Sequence, residues 1–380
     1  MNKWSLYLGK VGGVKIFIHW TFIFLISWIL ISNFQEGKNL LNGLYTIAFV
    51  LSVFVCVVLH ELGHAFAARH FKYKTKDIII LPIGGMARMD ELPENPKHEL
   101  IVSIAGPVVN FLIALCLYPV IFWYVRIPAI FSILFNSPDT FLVSLFIVNI
   151  SLALFNLLPA FPMDGGRVFR AVLSFFIDRV KATSIAARTG QVLAVGFFFI
   201  GIFYNPLLAF AGIFIFIIAQ AENEYVKSKS ILHNYTVRDV MMRKYYSLDA
   251  FDTIEDAVKG LLDVQITDFL IIEKGRVIGT LNREGIIRGL SAKGKESSVL
   301  YVMNTKVVFL SPEMPLDKVF HQFNSNGHTL CPVIENNEVI GVVDANNILE
   351  FIMVRSIAEK SSFQSAKGSL KWKETAALKF

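Results

Sequence analysis

The sequence predicts a polytopic α-helical membrane domain followed by a soluble α/β domain, and its composition carries that prediction. Of 380 residues, 54% are hydrophobic and only 17% charged, whereas soluble globular chains carry about 25% charged residues. The charges are also unevenly placed. Residues 1–225 hold 28 of them and the shorter segment 226–380 holds 38, while 26 of the 34 phenylalanines lie in the first segment. This composition excludes disordered and collagen-like chains, and three cysteines exclude a disulfide-rich scaffold. Cys56, Cys116 and Cys331 lie in apolar or strand-like runs and read as buried free thiols. No Cys-x-x-Cys pair exists, so a metal site must draw on histidines and carboxylates. The net charge of +6 is spread without basic blocks, which fits a membrane surface and gives no basis for nucleic-acid binding.

A helix needs about 20 mostly apolar residues to cross a bilayer, which predicts about six spans, over 14–32, 41–66, 100–123, 140–160, 189–204 and 206–220. The first run has a basic start but no small-residue cleavage site, so it is a span rather than a signal peptide. Tyr204-Asn205-Pro206 separates the last two as a helical hairpin. Residues 76–90 read as strand–turn–strand, β-branched before Pro82 and turning at Gly84-Gly85, which gives a small membrane-associated β-hairpin. One set of segments holds Lys3 and Lys10; Arg69, Lys72, Lys74, Lys76, Arg88 and Lys97; Arg167, Arg170, Arg179, Lys181 and Arg188; then Lys227 and Lys229. The opposite set holds little beyond Lys38 and Arg126. The excess of cations on cytoplasmic segments therefore places both ends of the domain, 67–99 and 161–188 in the cytoplasm. The membrane domain covers 1–220, a polar linker 221–235, and a charged tail 355–380.

Near the end of the second span stands His60-Glu61-Leu62-Gly63-His64. Residues four apart share a helix face, so His60 and His64 can hold one zinc ion with Glu61 beside them as general base. Ionisable side chains at the end of an apolar span are costly to bury and are functional by default. A catalytic zinc needs a third protein ligand. His70, six residues after His64, has the metzincin spacing, but Ala67 stands where that motif needs a turning glycine. A continuing helix rotates His70 away from the His60/His64 face. The better candidate is Asp164, in Asn156-Leu157-Leu158-Pro159-Ala160-Phe161-Pro162-Met163-Asp164-Gly165-Gly166-Arg167. Two prolines and two glycines there cannot continue a regular helix, and unwound backbone at membrane depth needs cover from protein or a water-filled cavity. The bland alternative is that Asp164 caps the helix that follows. His19, inside the first predicted span, either faces the active-site cavity or hydrogen-bonds to a neighbouring helix; His98 reads as interfacial.

These paired motifs resemble the site-2 proteases, zinc metalloproteases that cut inside membranes, over about residues 10–220. The resemblance implies that His60, His64 and Asp164 ligate one zinc ion per chain and that Glu61 is the catalytic base. It places Asn156 and the Pro159–Pro162 stretch on the substrate side. It also covers Gly106-Pro107 and Asn110 in the third span, and Gly84-Gly85 near the active site. The implied reaction is regulated intramembrane proteolysis: a zinc-bound water attacks a peptide bond in or near the membrane span of a single-span protein already trimmed by another protease. Zinc lowers the pKa of its water to about 7, and Glu61 carries the proton to the leaving nitrogen. A helical peptide bond must unwind first, and an exposed edge over 76–90 can pair with the unwound strand. The chain is then a multi-pass integral membrane protein, of the cell membrane in a prokaryote.

The soluble segment repeats itself at an offset of 62. Val240-Met241-Met242 aligns with Val302-Met303-Asn304, Phe269-Leu270-Ile271-Ile272 with Cys331-Pro332-Val333-Ile334, and Val277-Ile278-Gly279 with Val339-Ile340-Gly341. Each copy reads strand, helix, strand, strand, helix. The pattern resembles a pair of cystathionine-beta-synthase (CBS) domains, over 236–292 and 298–354, a module that docks as a two-fold unit and often senses adenine nucleotides. Gly279 is followed by Asn282 and Gly285, and Gly341 by Asp344 and Asn347. Neither copy has the aspartate that holds a ribose in that family, so the expected role is packing or homodimer formation as much as nucleotide sensing. The competing reading is a membrane transporter or channel gated by the CBS pair, but transport gives no reason for a glutamate between zinc-spaced histidines. A catalytically dead relative acting as a binding protein is a third reading, against which the intact His60, Glu61, His64 and Asp164 count.

Overall fold

The computed structural model describes residues 4–37, 39–82, 84–89, 93–124, 140–263, 265–326 and 329–358. Lys38, Arg126 and nearly all of the tail lie outside the described residues. The chain divides into two compact units, Met1–Glu224 and Tyr225–Phe380.

The first unit opens on strands β1 (Ser5–Val11) and β2 (Val14–His19), joined at Gly12-Gly13, before helix α1 (Phe22–Gln35). The expected span over 14–32 is thus half strand. Its Val14-Lys15-Ile16 run alternates, with Val14 and Ile16 buried and Lys15 exposed, and pairs in parallel with β3 (Thr75–Leu81). Strand β4 (Gly84–Met89) pairs antiparallel with β3. The expected hairpin is therefore one half of a four-stranded sheet in the order β1-β2-β3-β4. His19 ends β2, with its Nδ1 2.8 Å from Thr21 Oγ1, so it pairs locally across the strand–helix turn.

The remaining elements are α2 (Leu40–His70), α3 (Pro96–Tyr124), α4 (Phe141–Asn156), α5 (Asp164–Leu173), α6 (Arg179–Tyr204) and α7 (Pro206–Leu232). By length and composition α2, α3, α6 and α7 can cross a membrane, and α1 and α4 are shorter apolar helices. These six overlap the six expected spans, but among the described residues four helices, not six, are long enough to cross. At about 1.5 Å per residue, the 31 residues of α2 exceed the roughly 30 Å of a hydrocarbon core. The 16 residues of α4 fall short of it. The last two helices run longer than hydropathy indicates. α6 starts at a true cap, where Asp178 accepts from the Val180 N–H at 3.0 Å. α7 starts on Pro206 and runs through most of the expected linker, because residues 219–229 are rich in Ala, Glu, Gln and Lys, which favour helix. Cys56 is buried as expected, whereas Cys116 is exposed on α3.

The second unit holds two copies of one motif. The first has β5 (Ser247–Asp249), α9 (Ile254–Asp263), β6 (Asp268–Glu273), β7 (Arg276–Asn282) and α10 (Arg283–Lys293), after a single turn α8 (Val237–Val240). The second has α11 (Leu316–Asn326), β8 (Leu330–Glu335), β9 (Glu338–Asp344) and a helix over 345–358. Here the first strand is reduced to a parallel bridge between Leu310 and Val333. The lead-in residues cross over: Met242 bridges to Val342, and Asn304 to Thr280. Both members of these bridges are related by the offset of 62, so each copy completes the other's sheet around a two-fold axis. Cys331 is buried in β8, and burial pushes its thiol up to about 12.

Candidate metal centre

Helix α2 presents His60 and His64 one turn apart, 6% and 7% exposed. The chain after α4 then folds back through Pro159, Phe161 and Pro162 to begin α5 at Asp164. Met163 occupies the N-cap position and no side-chain cap bond forms, so Asp164 is not the cap that a helix start invites. Its Oδ2 instead stands 3.2 Å from His60 Nε2 and 3.1 Å from His64 Nε2, and the two Nε2 atoms are 3.1 Å apart. Two nitrogens and a carboxylate oxygen thus form a near-equilateral triangle. Zinc with bonds of about 2.0–2.2 Å brings its ligand atoms to roughly 3.3 Å of one another, so the spacing of these three donors fits a zinc ion. They are the one such group among the described residues.

The neighbouring groups suit the same occupant. His64 Nδ1 donates to the Val102 carbonyl of α3 at 2.7 Å, which fixes the tautomer that leaves Nε2 free to ligate. A Cβ at Gly106 would lie 2.2 Å from His64 Nε2 and 2.7 Å from His60 Nε2; glycine alone lets α3 pass this close. Glu61 is half-buried on the next helix position. A Cβ at Gly85 of β4 would fall 2.8 Å from its Cγ, so the strand lies directly against it. Strand β4 closes the sheet order, with no further strand beyond it among the described residues.

Of the remaining expected site residues, Gly84 begins β4 and Asn156 ends α4, half-buried. Pro159 and Pro162 are exposed on the loop that delivers Asp164. His70 is exposed in the last turn of α2 and is not part of the donor group, as its helical phase required. Sequence reasoning missed the Val102 carbonyl, which carries no side-chain signal. It also missed a buried ion network at the base of α5, whose Arg170 had been counted among the cytoplasmic cations.

A helix long and apolar enough to cross a membrane thus carries two histidines and a glutamate, met by a carboxylate from the start of a later helix. The model of Peptidase family M50 matches residues 48–137 and 124–197, and that of the CBS domain matches 237–292 and 297–354. A zinc metalloprotease of Methanocaldococcus jannaschii is 30% identical over 361 residues, 94% of this chain and 99% of its own. Stage IV sporulation protein FB of Bacillus subtilis is 28% identical over 247 residues, covering 64% of this chain and 75% of that protein. A solved site-2 protease from Methanocaldococcus jannaschii aligns at 37% identity with 58% of this chain and 95% of its own, with a TM-score of 0.44. The chain belongs to the site-2 protease family, Peptidase family M50, with a C-terminal CBS pair. It is an integral membrane zinc metalloendopeptidase, and the transporter or channel reading is set aside.

Proposed function

We propose that this enzyme hydrolyses a peptide bond in or near the transmembrane segment of a membrane-protein substrate, with His60, His64 and Asp164 holding one zinc ion per chain. The observation that carries this reading is the convergence of the three donor atoms within 3.1–3.2 Å. Bound there, zinc supplies a Lewis acid that polarises the scissile carbonyl and acidifies a water. Glu61 takes the proton of that water and delivers it to the leaving nitrogen. His64 is held in its ligating tautomer by Val102. The substrate, unwound from its helix, adds as a strand to the free edge of β4, beside Gly84 and Gly85, which brings its backbone to Glu61. Asn156, Pro159 and Pro162 border the same approach.

The cation distribution supports a membrane orientation in which the N-terminus, the metal site and the CBS pair are cytoplasmic. The substrate is a single-span protein already trimmed by another protease. The CBS pair serves regulation or homodimer formation, with at most weak affinity for adenine nucleotides. Cleavage of a single-span model substrate by purified protein, with and without chelator, tests the reading. Chelation abolishes cleavage on this account. Glu61→Gln lowers the rate about 100- to 10,000-fold, the usual loss for a general base, while zinc and fold are retained. Near wild-type cleavage by that variant contradicts the mechanism.

A further inference from the structure

Arg170 of α5 is 1% exposed, an unusual position for a guanidinium. Its Nε donates to Glu99 Oε1 at 2.9 Å, its Nη2 donates to the same oxygen, and its Nη1 donates to Glu222 of α7. Its Cζ stands 5.0 Å from the centroid of the Phe161 ring, a cation–π contact. Glu99, itself 3% exposed, takes Arg179 Nη1 on its other oxygen at 2.9 Å. Two buried groups, Arg170 and Glu99, thus join two partly exposed ones, Glu222 and Arg179, in one network.

Stability gives a weak reason for such a network, since a buried ion pair is often no better than a well-packed apolar replacement. Position gives a stronger one. Arg170 lies less than two turns from Asp164 on the same helix. Phe161, on which it stacks, lies three residues before Asp164 in the incoming loop. Glu99 lies one turn before Val102, whose carbonyl orients His64. Arg170 therefore grips the chain on both sides of Asp164 and ties it to the turn of α3 that orients His64.

We infer that Arg170 is a positioning residue for the zinc site: bridging Glu99, Glu222 and Phe161, it sets the distance between α5 and α3 at which Asp164 meets His60 and His64. The inference rests on Asp164 being a zinc ligand, as proposed above. Arg170 is not itself one of the three donors. Groups that orient metal ligands typically cost about 10- to 100-fold in metal affinity when replaced.

The test is zinc affinity of the full-length protein in detergent, measured by competition with a chromogenic chelator, alongside thermal melting of the metal-stripped protein. Arg170→Lys keeps the charge but cannot bond two carboxylates in a fork while stacking on a ring. The expected result is zinc affinity lowered by about tenfold or more. Wild-type zinc affinity in Arg170→Lys, with only the melting temperature reduced, assigns a merely structural role and overturns the inference. Should that variant fail to fold, Glu222→Gln carries the test, because the Glu222 side chain is 23% exposed. Weakened zinc binding there supports the inference, and unchanged zinc binding overturns it. Asp164→Asn separates the two claims. If it binds zinc as tightly as wild type, the ligand assignment fails and takes the inference with it. If it loses zinc while Arg170→Lys does not, only the positioning role fails.

Discussion

At Gly106 the missing side chain leaves the space beside the Nε2 atoms of His60 and His64. Alanine favours a helix interior by about 1 kcal/mol over glycine, so propensity alone makes Gly106→Ala stabilising. Its Cβ would nonetheless lie 2.2 Å from His64 Nε2. The expected outcome is therefore a folded, helical protein with zinc content well below wild type, measured by metal analysis beside circular dichroism. A Gly106→Ala variant that keeps full zinc contradicts the geometry described here. His60, Glu61 and His64 were legible because their spacing maps onto one helix face. Asp164 was legible because prolines and glycines at the end of a span demand a reason. Arg170 was not legible. Its partner Glu99 is 71 residues away, and an arginine in a polar segment looks the same whether it faces water or a buried carboxylate.

At the scale of the element, the sheet shows what hydropathy conceals. The run from Val14 is apolar enough to read as the start of a span, yet it folds as β2 because Ile16, Phe17 and Ile18 find parallel partners in β3. Short apolar runs do not distinguish strand from buried helix. Gly12-Gly13 between the two runs marks a hairpin, a signal that the length of the apolar stretch hides. β3 and β4 were legible from Pro82 and Gly84-Gly85, but their pairing with a strand sixty residues earlier was not. The sheet ends on β4, pressed against Glu61. Gly85→Val would place branched bulk 2.8 Å from Glu61 Cγ and 3.1 Å from Val57 Cγ1, pushing strand and base apart. Misplacement of about 1 Å costs on the order of 100-fold in rate. The expected result is therefore a large fall in cleavage at unchanged zinc content. Undiminished cleavage excludes β4 as the edge that presents the substrate to Glu61.

Over the whole molecule, the repeat at 62 residues made most elements of the second unit legible, though not the reduction of the second copy's first strand to a bridge at Leu310. The exchange of lead-in segments through Met242–Val342 and Thr280–Asn304 was not, since a repeat gives register within a copy and says nothing of which copy completes which sheet. Asn282 and Asp344, also 62 apart, both cap the helix that follows, accepting from Gly285 N at 2.9 Å and Asn347 N at 2.7 Å. With the two side chains engaged as caps and no ribose-binding aspartate following them, ATP or AMP is expected to give no micromolar isotherm in calorimetry on the full-length protein. A micromolar isotherm with either nucleotide contradicts that expectation and makes the pair a sensor.

Zinc stoichiometry of three purified proteins, wild type, Asp164→Asn and His70→Ala, separates Asp164 from His70 as the third ligand. An amide oxygen lacks the charge that offsets the metal's, whereas His70 stands on another face of α2. Close to one zinc per chain is expected in wild type and His70→Ala, and much less in Asp164→Asn. Zinc lost from His70→Ala and kept in Asp164→Asn would contradict Asp164 as that ligand.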